Sequence, residues 1–216
     1  MPSLPDHLKP IPIGKNRLSQ EELEELQRAR LLAAAIPVFA AKGYSATTVD
    51  DLVSAARIGV GSFYAHFESK ERCLLAAYDV IHAEAKAQIE GAARAGTDWP
   101  SGICLGLKAL LDWLTLNPDR GKVALVEIQV AGPAAVRRYG EAVESAVNAL
   151  RKGRSRSNHL PQSLEETTVG GIAWLLHRRL AVGVHESLRE LFPDLGELIL
   201  EPYLGKPAAA ELLRSM

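Results

Sequence analysis

Apolar residues in this chain recur three and four positions apart, and each such stripe is bounded by a helix-start or helix-stop signal. Ser19 and Glu22 have capping-box spacing. Ala29, Leu32, Ile36 and Phe39 follow at helical period, and Lys42-Gly43 ends the stripe. Pro37 lies inside it and predicts a kink near Ala33. Thr47 or Thr48 opens a second helix with Asp50 or Asp51 three residues on, and Val49, Leu52, Val53 and Ala56 form its apolar side. Ser69 opens a helix carrying Leu74, Tyr78, Ile81 and Ala85. Asp98-Trp99-Pro100 opens one with Ile103, Leu107, Leu110 and Leu114. Asn117-Pro118 and Gly132-Pro133 start two more. RKGRSRSNH, residues 151–159, reads as a basic loop. Ser163 and Glu166 have capping-box spacing before a helix that runs toward His185, and a last helix reaches Tyr203. No strand pattern and no repeat occurs, so the expected class is all-α, with a three-helix N-terminal domain and a larger helical body.

The remaining bulk properties exclude more than they assign. The chain has 216 residues, 47% of them hydrophobic, and a formal charge of −1. A nucleic-acid site on such a chain must be local. Residues 1–18 hold four of the twelve prolines with Lys9, Lys15 and Arg17, and read as a flexible basic arm. No secretory signal and no membrane-spanning run is visible, which predicts a cytoplasmic protein without membrane contact. Cys73 and Cys104 fit no metal spacing and suit a reducing compartment; a redox-sensing thiol is one reading of either. No metal or cofactor is expected.

The stretch GVGSFYAHFESKE, Gly59 to Glu71, decides between a nucleotide enzyme and a DNA-binding protein. A dinucleotide loop requires G-x-G-x-x-G after a strand, but the third position is Tyr64 and a helix precedes. Two helices joined by Arg57-Ile58-Gly59, the second short and polar-tipped, instead form a helix-turn-helix. Phe63 and Phe67 then face inward, leaving Ser62, Tyr64, Ala65 and His66 to point elsewhere. A hydroxyl, a phenol and an imidazole donate to phosphate oxygens without adding net charge. Gly61 allows close backbone approach, and Lys70 adds a cation beside free amides at a helix start.

The segment KGYSATTVDDLVSAARIGVGSFYAHFESKERCLLAAYD, Lys42 to Asp79, resembles the DNA-binding domain of the TetR family of bacterial transcriptional regulators. The shared features are a Lys-Gly-aromatic helix end, a Thr-Thr helix start, an aliphatic-Ala turn, and a short helix ending aromatic-x-x-Phe before Ser-Lys-Glu. The resemblance implies DNA contacts at Thr47, Thr48, Arg57, Val60, Gly61, Ser62, Tyr64, Ala65, His66 and Lys70. Arg57, Gly59 and Val60 depart from the family's frequent glycine, serine and polar residues. Val60 offers a thymine methyl a contact, not a hydrogen bond.

The resemblance further implies three segments: the arm at 1–18, a DNA-binding domain at 19–69, and an effector-binding and dimerisation domain at 70–216. The protein is then a ligand-responsive regulator, a repressor by expectation. Its partners are double-stranded operator DNA, a small-molecule effector and a second copy of itself, with the dimer surface on the last two long helices. Within the body, His82, Trp113, Glu127, Tyr139, Trp174 and His177 are candidate walls of an effector cavity; an ordinary core with exposed polar ends is the alternative. Gly170-Gly171 inside a helix predicts close approach of another helix, each glycine costing about 1 kcal/mol against alanine. The alternatives are a helical interaction module without DNA binding and, less readily, a helical-bundle enzyme. The chain has no G-x-S-x-G elbow, no E-x-x-H pair and no H-E-x-x-H.

Overall fold

A computed structural model describes residues 19–156 and 160–216; the arm at 1–18 and the 157–159 part of the basic segment lie outside the described residues. Ten α-helices make up the fold, and no strand occurs among the described residues. They are α1 (Gln20–Lys42), α2 (Val49–Ala56), α3 (Val60–His66), α4 (Lys70–Arg94), α5 (Trp99–Leu116), α6 (Pro118–Leu125), α7 (Pro133–Arg151), α8 (Leu164–Ala181), α9 (Phe192–Leu204) and α10 (Lys206–Arg214). Short 3-10 turns follow α6 at Glu127–Val130, follow α7 at Lys152–Arg156 and precede α9 at Arg189–Leu191.

The sequence signals set most helix starts. Ser19 and Glu22 form the expected capping box on α1, and Asp98 pairs with Ser101 on α5. Thr48, not Thr47, caps α2, with Asp51 closing the box. Helix α1 continues as one element through Pro37. The Ser163–Glu166 box does not form: Ser163 makes no side-chain cap bond, and Glu166 accepts from Arg151 instead at 2.7 Å. Helix α8 ends at Ala181, short of His185. Helix α10 was not anticipated; Gly205, at φ 78°, turns the chain and Pro207 restarts it.

Helix α1 packs against α2, α4 and α6, so it belongs to both the N-terminal trihelix and the body. The trihelix core is Leu31, Ala35, Phe39, Leu52, Phe63 and Leu74, all completely buried. In the body, α4 packs along α5, and that packing depends on small residues. A Cβ at Gly102 would stand 2.9 Å from the Ala93 carbonyl oxygen, and one at Gly106 3.5 Å from the Ala93 methyl.

Most of the basic segment 151–156 is helical, not loop. Arg151 ends α7, and residues 152–156 form the 3-10 turn. Arg154 Nη2 donates to Glu165 Oε2 at 2.6 Å, and the Tyr203 hydroxyl donates to Oε1 at 2.8 Å. The Glu165 side chain is only 1% exposed. Burial alone would raise its pKa, but the hydrogen bonds from Arg154 and Tyr203 outweigh burial and hold the carboxyl below its ordinary value. Gly153 lies under the Trp99 ring, where a Cβ would meet ring carbons at 2.4 Å. The Trp99 indole donates to the Ala149 carbonyl at 3.0 Å and meets Tyr203 edge-on. This network ties α5, α7, α8 and α9 into one body.

Candidate nucleic-acid interface

Helix α3 is seven residues long and buries one of them, Phe63. Phe67, just past its end, is buried beside Phe63 with ring centroids 6.0 Å apart, and the Arg28 guanidinium lies 5.3 Å from the Phe67 ring centre. This aromatic anchor at i and i+4 turns everything else on α3 outward. Val60, Gly61, Ser62, Tyr64 and Ala65 are exposed, Tyr64 at 54%, while His66 is half-buried. A Cβ at Gly61 would meet nothing within 4 Å among the described residues, so none of them crowds it.

The turn before α3 carries a strained residue. Arg57 caps α2 at φ 56°, ψ 47°, the left-handed region that disfavours side chains. Its amide donates to Ser54 and that of Ile58 to Val53, which closes the α2 end in the geometry a glycine usually supplies. Arg57 is exposed at the turn that leads into α3.

Three of the expected contacts have other duties. Thr47 is 2% exposed, and its hydroxyl donates to the Gly43 carbonyl at 2.7 Å; it is a core residue of the α1–α2 loop and offers DNA nothing. Thr48 is exposed, but its hydroxyl is engaged with Asp51 in the cap. Lys70 Nζ donates to the Tyr44 and Thr47 carbonyls, each at 2.7 Å, and sits 4.3 Å from the centre of the Tyr44 ring. The ammonium thus secures the α1–α2 loop from below. Position at a helix start pointed to an anion, but the loop's carbonyls lie closer.

The six candidate effector residues do not converge on one cavity. Trp113 is 4% exposed, a core residue of α5. Trp174 is 61% exposed, with the Arg178 guanidinium over its ring, so it lines an outer face and no cavity. Buried Glu127 accepts the Tyr44 amide at 2.7 Å. His177 Nδ1 lies 2.8 Å from the Leu125 carbonyl oxygen. His82 stacks on Tyr78, whose hydroxyl reaches the Arg138 carbonyl, and the next residue, Tyr139, is half-buried. An open groove of the body instead runs between α4 and α7. It spans about 960 Å3 and is lined by Glu90, Ala93, Arg94, Gly140, Glu144 and Asn148, among others. Sequence reasoning missed it because no local signal marks where two helices diverge.

Both thiols are buried. Burial pushes Cys73 up to about 12 and Cys104 up to about 11, so neither carries thiolate at neutral pH and the redox reading loses its basis. No described helix is long and apolar enough to cross a membrane.

Residues 31–77 match the family model for bacterial regulatory proteins, tetR family. The HTH-type transcriptional repressor DhaR of Mycobacterium sp. (strain GP1) is 48% identical over 44 residues, which are 20% of this chain and 22% of DhaR. The matched stretch therefore spans about a fifth of that curated relative. The fold likeness extends much further. A transcriptional regulator FadR from Bacillus subtilis, solved in complex with stearoyl-CoA, superposes with a TM-score of 0.69 at 16% identity, over 80% of this chain and 97% of that one. A bacterial regulatory protein in the tetR family from Rhodococcus RHA1 gives 0.67 at 23% identity, over 82% and 96%. At these identities the structural likeness speaks for fold, and the helix-turn-helix match speaks for sequence. Residues 31–77 thus carry the tetR-family helix-turn-helix sequence, on a fold similar to that of a TetR-family regulatory protein.

Proposed function

We propose that this chain is a transcriptional regulator, a repressor, that binds double-stranded operator DNA as a homodimer and leaves it when a small-molecule effector binds. One observation carries the reading: α3 turns Gly61, Ser62, Tyr64 and Ala65 outward from a rigid aromatic anchor, on a face that the described residues leave uncovered. An α-helix with such a face fits the major groove, where Ser62 and Tyr64 reach phosphates or base edges and Val60 meets a thymine methyl. Arg57 and His66 flank the same face. At the start of α4, Lys70 contributes its backbone amide to a phosphate, its ammonium being committed to the α1–α2 loop. The domain division at 19–69 and 70–216 follows from this assignment, and the protein acts in the cytoplasm by binding, without catalysis.

The second copy seats on α8. Thr167, Gly170, Gly171, Trp174 and Arg178 form one exposed stripe, and a Cβ at either glycine would meet nothing within 4 Å among the described residues. Two glycines beside an exposed tryptophan allow a second α8 to approach closely around an aromatic anchor. A two-fold dimer presents two α3 helices to successive major grooves, so the operator is pseudo-palindromic. The effector enters the groove between α4 and α7. The stearoyl-CoA carried by the FadR structure supports a small-molecule effector for this fold. Its binding favours a spacing of the α3 helices that no longer fits adjacent grooves.

Enrichment of duplexes from a random-sequence library tests the reading. The expected result is an inverted-repeat motif bound with steep salt dependence by a protein that sediments as a dimer. Failure to enrich any motif, or enrichment of a motif without inverted symmetry, overturns it.

A further inference from the structure

The α1–α2 loop of the helix-turn-helix is held by a residue far along the chain. The Tyr44 amide donates to Glu127 Oε2 at 2.7 Å, across 83 residues of sequence. Glu127 is 7% exposed. Gly43, at φ 80°, brings the backbone against the same carboxylate; a Cβ there would stand 3.4 Å from Oε2. From the other side, Lys70 binds the Tyr44 and Thr47 carbonyls. The loop that sets α2, and through α2 the turn before α3, is thus fixed between α4 and the 3-10 turn Glu127–Val130.

That 3-10 turn is itself gripped by α8. The helical path breaks at Val126, between α6 and the turn. At the break, the Leu125 carbonyl accepts from the Gln129 amide, and His177 Nδ1 of α8 stands 2.8 Å from the same oxygen. A carbonyl cannot donate, so a bond to Leu125 requires the proton on Nδ1, and the Gln129 side-chain amide nitrogen, 3.2 Å from the same Nδ1, then donates to Leu125 alone. His177 lies one turn from Trp174 on α8. A connected path therefore runs from α8 through His177, Leu125 and Glu127 to Tyr44.

We propose that Glu127 is a positioning residue that couples the helical body to the helix-turn-helix, holding the α1–α2 loop by its carboxylate and carrying movement of the α6–α7 junction to α2 and α3. This rests on the regulator reading. The chemistry suits the task. A buried carboxylate on a backbone amide makes a charge-assisted bond with strong directional preference, and a half-buried amide that loses such a partner is poorly resolvated. The loop therefore follows the carboxylate. Displacement of the Leu125–Gln129 junction, from α8 or from the groove bordered by α7, acts on Tyr44 without contact between an effector and the DNA-binding helices.

The experiment is amide hydrogen exchange at Tyr44 by NMR on the full chain, beside affinity for the duplex the unmodified protein enriches. Glu127→Ala should raise exchange at Tyr44 at least tenfold and weaken duplex binding at least tenfold. Glu127→Gln, which keeps a carbonyl acceptor, should restore both to within about threefold. His177→Phe should raise Tyr44 exchange severalfold although its side chain never meets Tyr44; if Glu127→Ala fails to fold, this variant and Glu127→Gln decide the question. Unchanged Tyr44 protection in Glu127→Ala or His177→Phe overturns the path. A deprotected Tyr44 with undiminished duplex affinity overturns the coupling. If the unmodified protein enriches no duplex, the regulator reading fails instead, while Tyr44 exchange still reports on the path itself.

Discussion

Helices α3 and α8 both keep glycine and one large exposed aromatic on an uncovered face, yet they are built in opposite ways. Helix α3 has seven residues and one buried side chain, Phe63; α8 has eighteen and buries Glu165, Thr168, Ile172, Leu176 and Leu180. A helix of two turns has no stability of its own, so α3 exists because Phe63 and Phe67 lock it to α1 and α2. Its other positions are then free to be small or polar, as a groove of bases and phosphates requires. Helix α8 has an apolar side to spare and uses its outer side for Trp174 above two glycines, which suits a flat protein partner. On the proposed function, one helix is a reader held by an anchor and the other is a wall with a contact surface.

The sharpest way to break this contrast is at the anchor. Phe63→Ala should cost about 3–5 kcal/mol, because a completely buried aromatic leaves a cavity that two short helices cannot close. Denaturant unfolding checks it, and a loss below about 1 kcal/mol would mean that α3 is held by something else. Next is Trp174→Asp on the outer side of α8. A central interface tryptophan is worth about 2 kcal/mol or more, and two-fold symmetry removes it twice, so dimerisation should weaken by roughly a thousandfold. Thermal stability of the isolated subunit should hardly move, since the side chain is 61% exposed. Sedimentation velocity separates the two quantities.

A smaller effect sharpens the comparison at a single methyl. Gly61→Ala relieves a helix-interior glycine with open space around it and should stabilise the fold by up to about 1 kcal/mol. If α3 lies against DNA, the same methyl should reduce duplex affinity. A gain in both stability and affinity would remove α3 from the interface. The smallest effect concerns the frame that carries α3. Hydrogen bonds from Lys42 and from the Thr48 backbone and hydroxyl lower Asp51 to about 2. A carboxyl depressed on folding stabilises above its unfolded pKa, near 4, and that contribution fades as pH falls through about 2. Asp51→Asn should therefore flatten the stability profile slightly between those values. The pair is solvent-exposed, so only a small change is expected.

How far the chain could be read before folding follows the same contrast. Capping at Ser19, Thr48, Ser69 and Asp98, proline at the starts of α6 and α7, and the Phe63–Phe67 pair all act within four residues. Helix class, the helix-turn-helix and the outward face of α3 were legible for that reason. Where a local rule met a distant competitor, it failed. Glu166 left Ser163 for Arg151, Lys70 turned to the 44–47 carbonyls, and Thr47 sank into the core.

Sequence alone determined what depends on neighbours along the chain: most of the helical segments, most of their starts, and which side chains an isolated helix turns outward. Only the tertiary structure decided which of those exposed or buried groups meet. It set Glu127 on Tyr44 across 83 residues, paired Arg154 and Tyr203 on Glu165, left Trp174 outside, and opened the groove between α4 and α7. The physical reason is range. A cap or a helical stripe is set by contacts one turn away, whereas a buried carboxylate takes whichever donor the packing of whole helices delivers, and spacing in sequence does not encode that delivery.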